Sequence, residues 1–301
     1  MRYPVMRYDV LIIGGSFAGL SAALQLGRAR RRVLVVDAGQ RRNRHAATSH
    51  GFLGQDGVPP GQIIATARAQ LTRYATVEIR EGLATGVTGD EQGFVVETTG
   101  GPAVAARRLI LAGGVTDTLP EVPGLAERWG RHVFHCPYCH GYELDQGPIG
   151  VLATGPMSLH HAQMLPDWGP TTLFLNGAVE PSAAELTDLA RRGVRVERTP
   201  VAGFFGEGAD LRLADGRTVP LAGVFTLAQT RITGPLAAEL GVDIEEGPLG
   251  QCIRVDAMQQ TSMPGVLACG DAARLAGSVA LAVASGTMAG TAAHRSLIFT
   301  A

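Results

Sequence analysis

A chain of 301 residues, 46% hydrophobic and 18% charged, is long enough for about two domains with a sizeable core, and its 40 glycines and 5% aromatics suit an α/β protein with tight strand-to-helix turns. A net charge of −1 gives no basis for nucleic-acid binding, and because all 26 basic residues are arginine, lysine-based chemistry is excluded. Four cysteines are too few for a secreted disulfide scaffold, and no apolar run reaches the ~20 residues of a membrane span, so a cytoplasmic protein with no membrane partner is expected.

Met1 to Asp9 is too short and polar for a signal peptide, and Met6 is a possible alternative start. Tyr8 to Ile13 is a short apolar run with β-branched residues. Gly14-Gly-Ser-Phe-Ala-Gly19 follows, then a helical pattern over Leu20 to Arg30 and a second strand, Val33 to Asp37. Strand, glycine turn, helix and strand in this order make a βαβ nucleotide unit. Gly14 permits the tight turn, and Gly19 lets the helix pack close to the sheet. The amides between them can hold a pyrophosphate. Ser16 stands where the usual second glycine would be, and its hydroxyl can itself donate to phosphate. Asp37, at the end of its strand, is placed to accept from ribose hydroxyls. Arg41, Arg42 and Arg44 form either a solvated loop or a group in which one or two face cofactor phosphates or adenine.

Val77 to Leu111 reads as short strands with polar turns, ending in Leu111-Ala-Gly-Gly114, and Pro120 to Pro123 reads as a domain crossover. Cys136-Pro-Tyr-Cys139 can close a small disulfide or open to two thiols. Zinc would need two more ligands, and His135 and His140 are too close in sequence to complete a tetrahedron, so no metal is expected. Gly150 to Ala153 opens a second βαβ-like segment, with a helix at Leu159 to Leu165 and a strand at Thr172 to Leu175. Thr230 to Pro235 reads as the return crossover. Gly265 to Asp271 precedes a small-residue helix, Val279 to Ser296. Cys252 and Cys269 read as buried small residues. The expected fold is α/β, with two Rossmann-like three-layer nucleotide-binding domains, the second inserted in the first. Residues 1–117 and 233–301 form the split domain, and 118–232 the insert.

Ile13-Gly-Gly-Ser-Phe-Ala-Gly-Leu20, Leu111 to Gly114, Cys136 to Cys139 and Gly265 to Asp271 stand in an order and spacing that resembles the low-molecular-weight thioredoxin reductase-like flavoproteins. The resemblance implies a homodimer with FAD in the split domain. FAD would be held by Gly14, Gly15, Ser16, Phe17, Ala18, Gly19, Asp37, Ala112, Gly113, Gly270, Asp271, Val279 and Ala280, with Asp271 against its ribityl or pyrophosphate part. It also implies that Cys136 is the more exposed sulfur and Cys139 the one nearer the flavin.

Two features depart from a thioredoxin reductase. In the insert, the glycine fingerprint for NADPH has become Ala153-Thr-Gly155-Pro-Met-Ser158, and Pro156 removes a backbone donor. The stretch that would carry arginines for the 2′-phosphate reads Leu175-Asn-Gly-Ala-Val-Glu180, and no basic side chain of arginine or lysine occurs between Arg131 and Arg191. Tight NADPH binding at the usual site is not expected. Beside the cysteines, His140 stands where an acidic residue is usual. An imidazole suits thiol deprotonation, and as an imidazolium it would lower a cysteine pKa. Glu143 either orients His140 or is solvated.

Both departures resemble the dithiol-oxidase branch, which closes disulfides in small sulfur compounds and passes electrons through FAD to oxygen. Catalysis is assigned to Cys136, Cys139, His140 and Glu143. The partner is a small-molecule dithiol or a thioredoxin-like protein, with molecular oxygen as acceptor. Two alternatives stand beside this: a thioredoxin reductase fed by NAD(P)H or another donor, and a flavin-containing protein that sequesters disulfide compounds.

Overall fold

The computed structural model describes residues 8–299; Met6 and the start of the chain lie outside them. Two sheets organise the molecule, the first mixed and the second parallel. The first has the strand order Val77–Glu81, Val33–Asp37, Tyr8–Ile13, Val104–Leu111, Gly93–Thr98, Ala84–Asp90. Its central strand is a continuous apolar run because both faces are covered, and Val10, Leu11 and Ile12 are fully buried. Val104–Leu111 is shared between partners. Its first half pairs antiparallel with Phe94 to Val96, and Leu109 to Leu111 pair parallel with Val266–Ala268 from the end of the chain.

Helix Phe17–Arg28 packs on this sheet, and the last helix, Val279–Ser296, packs on Phe17–Arg28. The small residues of the last helix have a direct cause. A Cβ on Gly286 would stand 2.1 Å from the Ala18 carbonyl oxygen, and one on Gly290 would stand 2.6 Å from that of Ala22. The two backbones touch, so side chains cannot fit.

The second sheet, wholly from residues within 133–226, has the order Arg195–Glu197, Thr171–Phe174, Ile149–Leu152, Gly223–Thr226, Val133–Phe134, with every neighbour parallel. Helices Met157–Met164 and Ala183–Arg191 contribute Leu159, Ala162 and Leu189 to the core on one face. On the other, a three-stranded antiparallel sheet buries Leu211 and Leu213 against Leu152, Phe174 and Val224. The result is a three-layer unit inserted in the first. The chain leaves the first unit along Val115–Thr118 and returns along Gln229–Ile232, and these strands pair antiparallel from Thr118 with Gln229 to Val115 with Ile232. The outward strand lies just ahead of the prolines read as the crossover, and the return strand overlaps the segment expected for it.

Candidate active site and cofactor cradle

The glycine turn of the first unit is closed by contacts that admit no side chain. Gly14 has φ +103°, and a Cβ there would stand 2.2 Å from the Ala112 carbonyl oxygen. One on Gly19 would stand 1.8 Å from the Gly14 oxygen, and one on Gly15 would stand 2.8 Å from the Asp37 Cβ. Ser16 occupies the N-cap position of helix Phe17–Arg28 without a side-chain capping bond, so the first helical amides face outward. Beside the turn lies a cavity of about 630 Å³ lined by Gly14, Asp37, Arg68, Gly82, Gly113 and Leu236, among others. A turn that any Cβ would fill, next to a cavity of this size, fits the nucleotide half of FAD. Ala112 is anchored by its N–H donating to the Ile13 oxygen at 2.8 Å. Gly270 rests on Ala18, and its N–H donates to Ser285 Oγ at 2.9 Å. Val279 and Ala280 open the last helix, whose N-cap Ser278 accepts from the Leu281 N–H.

Two arginines act here that the sequence did not assign. Arg68, from helix Pro60–Leu71, donates from Nη2 to the Asp37 carboxylate, so the acid expected to meet a ribose is already paired. Arg42 donates to both oxygens of Asp117, at 2.6 and 3.0 Å, and to Asp271 at 2.8 Å. Desolvation opposes its charge, but the two carboxylates win and hold the guanidinium well above its ordinary range. Of the three loop arginines, Arg42 is therefore taken by carboxylates rather than set toward phosphate. Arg44 donates to the Arg41 carbonyl on the exposed side.

Cys136 and Cys139 form a disulfide with Cα atoms 5.3 Å apart, Cys136 preceding the single helical turn Pro137–His140. Both are half-buried, so exposure does not distinguish them. The His140 ring stacks on Phe134 with centroids 4.4 Å apart. Desolvation, reinforced by His135 and His50, brings its pKa down to about 4. The ring is thus neutral at neutral pH, in keeping with a proton acceptor, but not charged to lower a cysteine pKa. Glu143, read as either orienting His140 or solvated, is partly exposed, and its Oε1 lies 3.4 Å from Nε2 of His50. His135 stacks beside Trp129, and desolvation together with Arg42 lowers it to about 4. His161, unmarked by any motif, is buried edge-on to Phe225 and brought to about 4 by desolvation. Tyr138, between the two cysteines, and Tyr142, three residues after Cys139, are 71% and 86% exposed.

The matching turn of the insert is built differently. Ala153 is buried, and the Thr154 N–H donates to Ser158 Oγ at 3.0 Å, so it turns inward. Pro156 caps helix Met157–Met164 and has no N–H to offer. Glu180 lies in the loop expected to meet a 2′-phosphate, and Arg198 donates to both its oxygens at 2.7 and 3.0 Å. Cys252 and Cys269 are buried, desolvation pushing Cys269 up to about 12, outside the range of a working thiol. Among the described residues no cluster of three or more His, Cys, Asp or Glu could hold a metal, and no helix is long and apolar enough to cross a membrane.

A glycine cradle for a dinucleotide and a CxxC disulfide on two interlocked Rossmann units define a flavin-linked disulfide oxidoreductase. The chain belongs to the pyridine nucleotide-disulphide oxidoreductase family, whose model matches residues 8–289. It is 60% identical to an oxidoreductase of Agrobacterium tumefaciens, whose crystal structure it matches with a TM-score of 0.96 over 98% of this chain and 100% of that one. It is 37% identical to thioredoxin reductase tcpT of Claviceps purpurea over 96% of this chain and 94% of the relative, and 30% identical to thioredoxin reductase sirT of Leptosphaeria maculans over 94% and 92%. Thioredoxin reductase-like members of the family bind FAD, and the chain is an oxidoreductase acting on sulfur groups.

Proposed function

We propose that this protein oxidises dithiols to disulfides and passes the electron pair to molecular oxygen, with a small-molecule dithiol as substrate. The observation that carries this reading is the closed nucleotide turn of the insert. Its Thr154 amide is spent on Ser158, Pro156 offers no donor, and Glu180, in the loop expected to meet the 2′-phosphate, engages Arg198. A phosphomonoester with close to two negative charges finds no free donor set there. Electrons then enter at the disulfide, not from NADPH.

A substrate thiolate attacks Cys136 Sγ, the sulfur the resemblance marks as the outer one. The enzyme S–S bond breaks and Cys139 leaves as thiolate. The second substrate thiol, deprotonated, attacks the substrate sulfur of the mixed disulfide and releases Cys136, so product and enzyme dithiol form together. Neutral His140 accepts a thiol proton in this exchange. FAD, bound in the cradle, supplies the two-electron acceptor that restores the disulfide and reduces oxygen to hydrogen peroxide, consuming the two protons the dithiol released. Gly14, Gly15, Gly19, Asp37 and Gly113 would hold its nucleotide half. Exposed Leu281 and Met288, seven residues apart on the last helix, support the homodimer implied by the resemblance.

The second reading, a thioredoxin reductase, is favoured by the names of tcpT and sirT. Anaerobic mixing separates the two. The oxidase reading expects a small dithiol to bleach the flavin absorbance, and admitted air to restore it with peroxide formed. Rapid bleaching by NADPH or NADH would sink it in favour of the reductase.

A further inference from the structure

We propose that the loop of residues 38–59 is a strap that seats the redox disulfide against the cofactor cradle, with Arg42, His45 and His50 as positioning residues. By sequence the loop belongs to the first unit, between strand Val33–Asp37 and helix Pro60–Leu71. Three of its contacts fall on the chain leading to and from the disulfide. Arg42 grips Asp117 on the outward crossover strand with two bonds of 2.6 and 3.0 Å. His45 lies on Gly130, which has φ +77° and where an added Cβ would stand 2.9 Å from the His45 Cβ. His50 meets Glu143 at 3.4 Å, three residues after the second sulfur's neighbour His140. Cys136 and Cys139 lie between the second and third contacts.

Each contact has a reason to hold. The Arg42–Asp117 pair is charge-assisted, bidentate and mostly shielded, with side chains 23% and 11% exposed, so loss of one partner leaves a shielded charge uncompensated. The Gly130 backbone packs against His45 Cβ and the backbone of His45 and Ala46, and its φ of +77° favours glycine. The third nitrogen of Arg42 holds Asp271, so one guanidinium spans the crossover strand and the cradle. Swinging the insert about the crossover pair would break the Gly130 and Glu143 contacts, while Arg42 holds the pivot strand itself. This inference rests on electron exchange between disulfide and flavin, not on its direction.

The test uses flavin-loaded protein with Arg42→Gln, Arg42→Lys, Gly130→Val and His50→Gln. Two rates are read after anaerobic mixing with dithiothreitol: opening of the disulfide, by alkylation of Cys136 and Cys139, and bleaching of the flavin. We expect disulfide opening at the unmodified rate and bleaching slowed at least about tenfold in Arg42→Gln and Gly130→Val, since small misplacements of reacting groups are costly. Arg42→Lys should recover part of the loss, and His50→Gln should slow bleaching about threefold. Bleaching within twofold of the unmodified protein in both strong variants would overturn the strap. So would parallel loss of both rates, which would mean plain disruption of the disulfide segment. If Arg42→Gln sheds flavin through Asp271, Gly130→Val and His50→Gln decide, because neither touches the cradle. Failure of the oxidase reading shows separately, as bleaching of the unmodified protein by NADPH.

Discussion

Two strand–turn–helix units of similar topology in this chain have opposite fates. In the first, Gly14, Gly15 and Gly19 bring backbone so close that a cradle opens onto a 630 Å³ cavity. In the insert, Ala153 and Ser158 stand in the places of Gly14 and Gly19, Pro156 offers no backbone donor, and the turn satisfies its own amide through Ser158. The topology makes a nucleotide site possible, but a handful of turn residues decide whether donors point outward. The insert keeps the frame and gives its working surface to the disulfide.

The comparison can be broken at several points. The largest effect belongs to Cys139→Ser. Dithiol-driven bleaching should vanish, a loss of about a thousandfold or more, because a single sulfur cannot accept and return an electron pair as a disulfide. Persistent bleaching in stopped-flow absorbance would mean that electrons reach the flavin without the sulfur relay. Next, Gly14→Ala should strip the protein of flavin, since the new Cβ meets the Ala112 oxygen and the backbone sits at positive φ, a strain of about 1–3 kcal/mol before the clash. Gly155→Ala in the insert meets no atom within 4 Å and should leave flavin content unchanged, measured by the 450 nm to 280 nm absorbance ratio. Equal loss in both would erase the distinction between the turns. His140→Ala should slow thiol exchange by about a hundredfold while leaving flavin bound, as expected when a proton acceptor is removed.

The smallest effect is on stability. His135, His140 and His161 all lie in the insert, each held near 4 against an ordinary 6.5. A folded-state pKa below the unfolded value means the stability is complete above pH 6.5 and is lost as pH falls toward 4. Trp129 and Trp168, the two tryptophans of the chain, also lie in the insert. Acidification should therefore change tryptophan fluorescence before it releases flavin. The reverse order would show that the cradle is the acid-sensitive half.

Local signals were legible in the sequence, and long-range ones were not. The glycine turn, the two crossovers, the CxxC pair and the last helix are each written within a few neighbouring residues. Arg68 reaches Asp37 across 31 positions and Arg42 reaches Asp117 across 75, and no periodicity marks such pairs. Arg42 could be read as near the cofactor but not as owned by two carboxylates. His140 was visible as a base, whereas its neutral state follows from burial, with its ring stacked on Phe134, reinforced by His135 and His50. Glu143 looked like its partner by proximity in sequence, but His50 comes from another unit. The strand Val133–Phe134 has two residues, too few for any alternation to be read.

The forked strand Val104–Leu111 also sets an order of assembly. Leu109 to Leu111 wait for Val266–Ala268, more than 150 residues later, and the last helix follows after that. During synthesis the insert is complete on the ribosome while the first sheet still lacks its final strand. The insert's own strands are contiguous within residues 133–226, so it can fold first, as a closed loop whose ends are pinned by the paired crossover strands. Gly270 and Asp271, beyond that final strand, come late as well, so flavin uptake through them is expected only after the last helix has landed.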